Sequence, residues 1–144
     1  MRTRVIETPR AAQQVGGLRK KDRAAYEKFL DMLEAQGCAA LGYRLTGDLP
    51  IDHLCVKHLI GSLRVVVGFE APGVAWVLLV GLHARADPGV DVYTELYRLA
   101  GLADIPTGER RKPTCCTPDG TAPTATAEIT NLANRAHQLR TRSR

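Results

Sequence analysis

Four side chains in this sequence are of the types that phosphate chemistry needs in the absence of a metal: Lys57, Arg64, His83 and Tyr93. Lys57 and Arg64 flank Gly61-Ser62 in KHLIGSLRVVVGF, at the rim of the most apolar part of the chain. A strand pair that only fills a core needs no cations there, and like charges held close destabilise a hairpin unless an anion lies between them. His83 follows the apolar run VAWVLLVGL, and Tyr93 opens a helical run after Asp91. Arginine's planar fork takes two phosphoryl oxygens, histidine exchanges protons near neutral pH, and tyrosine stacks on a base or lends its hydroxyl. Together they fit attack of a ribose 2′-hydroxyl on its adjacent phosphate. That reaction needs a base, cations for the growing charge and an acid for the 5′-oxygen. His53, Cys55, His58 and Arg85 are the next candidates, as residues that contact the RNA. Plain readings stand beside these: charged rims that deter edge pairing, a hydrogen-bonded loop histidine, and a tyrosine in the core.

Positioning these groups falls to a short series of elements. RTRVIE (Arg2–Glu7) alternates as a strand, and Thr8 with Pro9 marks a helix start. KKDRAAYEKFLDMLEAQ (Lys20–Gln36) carries apolar residues at 25, 26, 29, 30, 32 and 33, the stripe of an amphipathic helix that stops at Gly37. Turn residues Gly47, Asp48 and Pro50 precede the strand HLCVKHL, and Gly61-Ser62 turns the chain into LRVVVGFE. Ala71–Gly73 makes the next turn into VAWVLLVGLH, whose continuous apolarity predicts a central strand with Trp76 in the core. Asp91 caps a last helix, Asp91–Gly101, in which Tyr97 is expected in the core. The order is β-α-α-β-β-β-α, an α+β fold. Two N-terminal helices are expected on one face of a mainly antiparallel sheet, leaving the other face partly open. Strand alternation puts His53, Cys55 and Lys57 on one face, and Arg64 with Val66 and Gly68 opposite Leu63, Val65 and Val67. The hairpin nonetheless leads us to expect Lys57 and Arg64 within one or two cross-strand positions of each other.

Composition narrows the rest. At 144 residues and 15.7 kDa the chain has room for one core. Residues 1–105 form the expected domain, with thirteen Lys and Arg against twelve Asp and Glu; residues 106–144 carry seven against three. The pI of 9.3 therefore comes mostly from a Pro/Thr-rich basic tail, expected to hold little order beyond a marginal helix at its end outside the core, and does not by itself argue for nucleic acid. Its run ERRKP (Glu109–Pro113) is a candidate RNA contact beside the plain reading of a solvated charge run. Val74–Leu82 is too short to span a bilayer, and MRTRVIETPR lacks a secretory apolar stretch, so a cytoplasmic protein is expected. Of the four cysteines, Cys115 and Cys116 are adjacent and poorly placed to bridge each other; with no C-x-x-C present, four reduced thiols are expected. His53, Cys55 and His58 come nearest to a metal-ligand set. A regular strand turns His58 away from the other two, so neither metal nor cofactor is expected.

The segment order, RLTG (Arg44–Gly47), LCVKHLIGSLRVVVGF, VLLVGLH and DVYTELY together resemble the RelE/HigB-type toxins of bacterial toxin–antitoxin systems. The resemblance runs from the first strand to the last expected helix. It implies a metal-independent messenger-RNA endonuclease working on the ribosome, neutralised by a small antitoxin protein, with DNA contact only through that antitoxin. Lys57 and Arg64 fall on family cations that bind phosphate, His83 on the expected proton donor, and Tyr93 on the aromatic that stacks or moves a proton. Cys55 departs from the pattern, standing where many relatives carry a second lysine. The near-neutral domain also departs from strongly basic relatives, and the tail has no counterpart. Two other functions share the fold: a gyrase-directed ParE-type toxin, and a non-enzymatic interaction module.

Overall fold

The computed structural model describes residues 2–46, 51–84, 86–102 and 112–142, with side chains described through residue 135. The predicted turn at Gly47, Asp48 and Pro50, the candidate Arg85 and the expected domain boundary after residue 105 lie outside the described residues.

Strand β1 (Arg4–Glu7) leads into α1 (Pro9–Gly16). Thr8 caps that helix, its hydroxyl accepting the Ala11 N–H, while Pro9 occupies a first-turn position whose N–H would go unused. Helix α2 (Lys20–Gln36) buries Tyr26, Phe29 and Leu33 along the stripe that the sequence predicts. Four strands follow: β2 (Tyr43–Arg44), β3 (Cys55–His58), β4 (Leu63–Ala71) and β5 (Val74–Leu82). Helix α3 (Val92–Leu99) begins on Asp91, and α4 spans Thr126–Arg142. The protein is α+β, with a five-stranded mixed sheet in the order β1-β5-β4-β3-β2. β1 runs parallel to β5 and the other neighbours are antiparallel. β5 has strands on both sides, as its apolar run requires.

Gly61 has φ +53°, a left-handed conformation that glycine adopts without strain, and it closes the β3–β4 hairpin. The Leu63 N–H donates to Ile60 O across this turn at 2.9 Å. Beyond Val77, β1 no longer covers the edge of β5. Side chains finish the ladder there: Thr8 Oγ1 donates to Leu78 O at 2.9 Å, and Gln14 Oε1 accepts from the Val80 N–H at 2.8 Å. An otherwise bare strand edge is thus closed by a helix of the same chain.

The expected one-sided packing is corrected by the structure, which has helices against both faces. Val65, Val67, Phe69, Ala75 and Val77 meet Ala11, Val15, Tyr26, Phe29 and Leu33 on one side. On the other, Val56, Val66, Leu78 and Leu79 meet Val92, Leu96, Tyr97, Ile129 and Leu132. A bulge makes this second core possible. Val67 pairs with Val77 and Val66 with Leu79, so Leu78 is the extra residue, and both leucines point the same way.

The tail also differs from expectation. Its end forms α4, whose Ile129 and Leu132 are fully buried on the sheet face expected to lie open. Gly68 lets it approach: a Cβ there would lie 2.2 Å from Ile129 Cδ1. Composition hid this because Ala125, Ile129 and Leu132 carry the contact within a polar stretch. The thiol expectation is overturned as well. Cys38 is bonded to Cys116 and Cys55 to Cys115, closing separations of 78 and 60 residues. Adjacency prevents Cys115 and Cys116 from bridging each other, but not from reaching two separate partners. Among the described residues, no helix is long and apolar enough to cross a membrane.

Candidate functional site

The hairpin register sorts the sequence candidates. His58 pairs with Arg64 and Lys57 with Val65, so His58 and Arg64 share the face that carries α3 and α4. Lys57 lies on the opposite face, beside the chain of Cys55 and Val65. The expected Lys57–Arg64 juxtaposition is therefore corrected: side chains of opposite strand parity point to opposite sides of a sheet, whatever their distance along the turn. His58 takes the place that Lys57 was expected to fill.

His83 leaves the end of β5, where its N–H donates to Ser62 O at 2.8 Å and ties it to the hairpin loop. Tyr93 sits in the first turn of α3. Its ring meets the His83 imidazole edge-on, with centroids 4.8 Å apart. The Tyr93 and Tyr43 hydroxyls are hydrogen-bonded at 2.9 Å, and Tyr43 Oη lies 3.3 Å from His58 Nε2. Two imidazoles are thus joined through two phenols across the rim of the sheet. Lys112 Nζ lies 5.3 Å from the Tyr43 ring centroid, placing a second cation over this chain.

Asp91 anchors the far end. Its Oδ1 accepts from His83 Nδ1 at 3.1 Å and from the Ala84 N–H at 2.8 Å. Its Oδ2 accepts the Thr94 N–H and hydroxyl at 3.0 and 2.9 Å. One carboxylate, 6% exposed, therefore caps α3 and orients the histidine. Burial works to raise its pKa, but these hydrogen bonds outweigh burial and hold it below the ordinary carboxylate value. With Nδ1–H given to Asp91, Nε2 is the ring nitrogen left for another partner.

Electrostatics separates the remaining groups. Burial lowers the His58 pKa first, and Arg64, Lys112, His83 and Lys57 lower it further by repulsion. His58 is therefore biased toward the neutral imidazole. Burial raises the Tyr93 pKa, the Tyr43 hydrogen bond adds to this, and Arg64 opposes both, so Tyr93 remains a phenol. Arg64 donates to Gly61 O at 2.8 Å and Leu63 O at 3.2 Å, which pins the guanidinium to the turn. Its Nε–H is buried with no acceptor.

Arg64, His83 and Tyr93 thus come together with His58. Cys55 is fully buried in its disulfide and has no face to offer RNA, which corrects that assignment. His53 lies in a 3₁₀ turn and lines, with Arg44, Thr117 and Asp119, a cleft of about 590 Å³ that none of the clustered residues reaches. Trp76 is only partly buried against the second core, and its Nε1 has no partner. Sequence reasoning missed Tyr43 and the second role of Asp91. Tyr43 directly precedes the RLTG stretch and Asp91 is legible as a cap, while Lys112 stands in the basic run ERRKP, a candidate RNA contact that reads equally as a solvated charge run. Among the described residues, no group of three or more His, Cys, Asp or Glu side chains is placed to hold a metal ion. No protein-family model matches the chain, and comparison with curated proteins returns no significant match.

Proposed function

We propose that this rim binds the phosphodiester backbone of RNA and cleaves it by attack of a ribose 2′-hydroxyl. One observation carries the reading: His58, an imidazole biased toward its neutral form, is linked through Tyr43 and Tyr93 to a carboxylate-oriented imidazole, His83, beside Arg64 and Lys112. His58 takes the 2′-hydroxyl proton as the 2′-oxygen bonds to phosphorus. The phosphorus–O5′ bond breaks, and the leaving 5′-oxygen takes a proton from His83 Nε2. The products are a 2′,3′-cyclic phosphate and a 5′-hydroxyl. Arg64 and Lys112 offset the charge that grows on the phosphoryl oxygens, and Tyr93 donates a hydrogen bond or stacks on a base. Lys57, on the other face, acts on the site only through its field at His58.

On the strength of the resemblance, the substrate is messenger RNA on the ribosome in the cytoplasm, and a small antitoxin protein holds the activity in check. Inducible expression in a bacterium tests this. Growth arrest and new messenger-RNA ends are expected for the wild type, and neither for Arg64→Ala at equal abundance. Normal growth with unchanged RNA ends at high soluble abundance refutes it.

A second reading, a non-enzymatic binding module, is favoured by α4 covering the centre of the second face and leaving only its rim to a partner. Tight capture of a small partner protein by a wild type that cleaves no RNA would decide for it.

A further inference from the structure

Lys112 reaches the site from an unexpected direction. It belongs to the segment between α3 and α4, outside the span of the family resemblance, yet its ammonium lies 5.3 Å from the ring centroid of Tyr43, whose hydroxyl connects His58 to Tyr93. A lysine on a connecting segment carries a large rotamer entropy and holds no position unless its backbone is fixed. Here the fixing is covalent and close. The Arg44 N–H donates to Pro113 O at 2.8 Å, and the next two residues but one are both disulfide-bonded. Cys115 is bonded to Cys55, on the same strand as His58 and three residues before it. Cys116 is bonded to Cys38, in the 3₁₀ turn Gly37–Ala40 that follows α2.

We infer that Lys112 is a phosphate-binding residue of this site, presented by the twin disulfide clamp, and that reducing the clamp withdraws it. The inference rests on reading the rim as an anion site. The two bonds are unequally protected: Cys55 and Cys115 are fully buried, whereas Cys116 is only half-buried. A dithiol reductant therefore reaches Cys38–Cys116 first. Two electrons and two protons pass to the two sulfurs, giving a thiol on Cys38 and on Cys116, and the reductant closes to its own disulfide. Helix α4 stays docked, since Ile129 and Leu132 are buried on the sheet independently of either bond. What loosens is the stretch that carries Lys112. A reducing compartment would then hold the site in a weaker-binding form and an oxidising one in a tighter form.

The test is a titration of the full chain with inorganic phosphate, followed by the NMR shift of the His58 ring proton, which lies beside the Tyr43 hydroxyl and within the field of Arg64, Lys112, His83 and Lys57. The oxidised wild type should bind phosphate about tenfold more tightly than Lys112→Ala, with Lys112→Arg restoring most of the difference. Reduced wild type, and Cys38→Ser with Cys116→Ser, should weaken to the Lys112→Ala level while amide dispersion stays native. Adding Lys112→Ala to the reduced protein should change nothing more. Equal affinity in wild type and Lys112→Ala, with Arg64→Ala weakened, overturns the inference and leaves the anion site standing. If phosphate does not bind the oxidised wild type at all, both fall. Should the serine variant lose its fold, the reduced wild type decides for the clamp: affinity that stays at the oxidised level on reduction overturns its role.

Discussion

Replacing Asp91 with asparagine changes one atom's chemistry at a position where four donors converge. The carboxylate gives Oδ1 to His83 Nδ1–H and Ala84 N–H, and Oδ2 to the Thr94 N–H and hydroxyl. Asparagine has one carbonyl oxygen and one amide nitrogen. With the oxygen toward Thr94, the cap on α3 survives, but the new NH₂ faces the Ala84 N–H and leaves that donor unmet. His83 must then present a bare Nδ1, carrying its proton on Nε2 instead. With the oxygen toward His83, the tautomer survives and the cap is lost. Burying an unmet donor costs about 1–3 kcal/mol, and losing a cap about 1 kcal/mol, so either orientation destabilises by about 1–3 kcal/mol. The effect should depend on pH. The Asp91 pKa is depressed in the folded protein, so its contribution is fully present above its ordinary value of 3.8 and lost as pH falls through the folded value. The gap between wild type and Asp91→Asn should therefore be widest near neutrality and narrow in acid. Urea unfolding across pH measures the gap, and long-range ¹⁵N NMR of the imidazole reads the tautomer. Equal stability at pH 7 together with an unchanged His83 tautomer would refute the assignment of Asp91 as the group that orients His83.

Three further perturbations bear on separate parts of the account. Gly68→Val places a side chain where Ile129 and Leu54 already lie, and should destabilise by about 1–3 kcal/mol by urea unfolding, with α4 the first element to lose protection in hydrogen exchange. Arg64→Gln removes one of the charges that repel the His58 proton; the NMR pKa of His58, expected below its ordinary 6.5 in the wild type, should rise. Cys55→Ser with Cys115→Ser opens a loop with a separation of 60 residues and should destabilise by up to about 4 kcal/mol, read from the unfolding midpoint.

The elements were more legible in the sequence than the site. The stripe of Tyr26, Phe29 and Leu33 is local and periodic, and so is the apolar run of β5; both keep their meaning wherever the rest of the chain packs. Asp91 reads as a cap because capping is decided within one turn. Tyr97 is buried and Tyr93 faces the rim, a split that helical spacing leaves open. The site depends on longer-range facts. Alternation places Lys57 with Cys55 and Arg64 with Val66. Closeness across the hairpin is not convergence: the residue that shares a face with Arg64 is His58, one position from Lys57. The run ERRKP marks Lys112 only as one charge among several, because its position follows from two disulfides whose other halves lie at residues 38 and 55. The tail's place in the second core is equally non-local, since it follows from Ile129 packing over Gly68, 61 residues earlier.

Cleavage of messenger RNA, free and ribosome-bound, by the purified chain in the presence of a chelator tests the account most directly, with mass spectrometry of the new ends. The account predicts 2′,3′-cyclic phosphate and 5′-hydroxyl ends for the wild type, and rates lower by about 10²-fold or more for His58→Ala and His83→Ala, both still folded. Intact RNA in both forms, or cleavage that persists undiminished in those two variants, would contradict it.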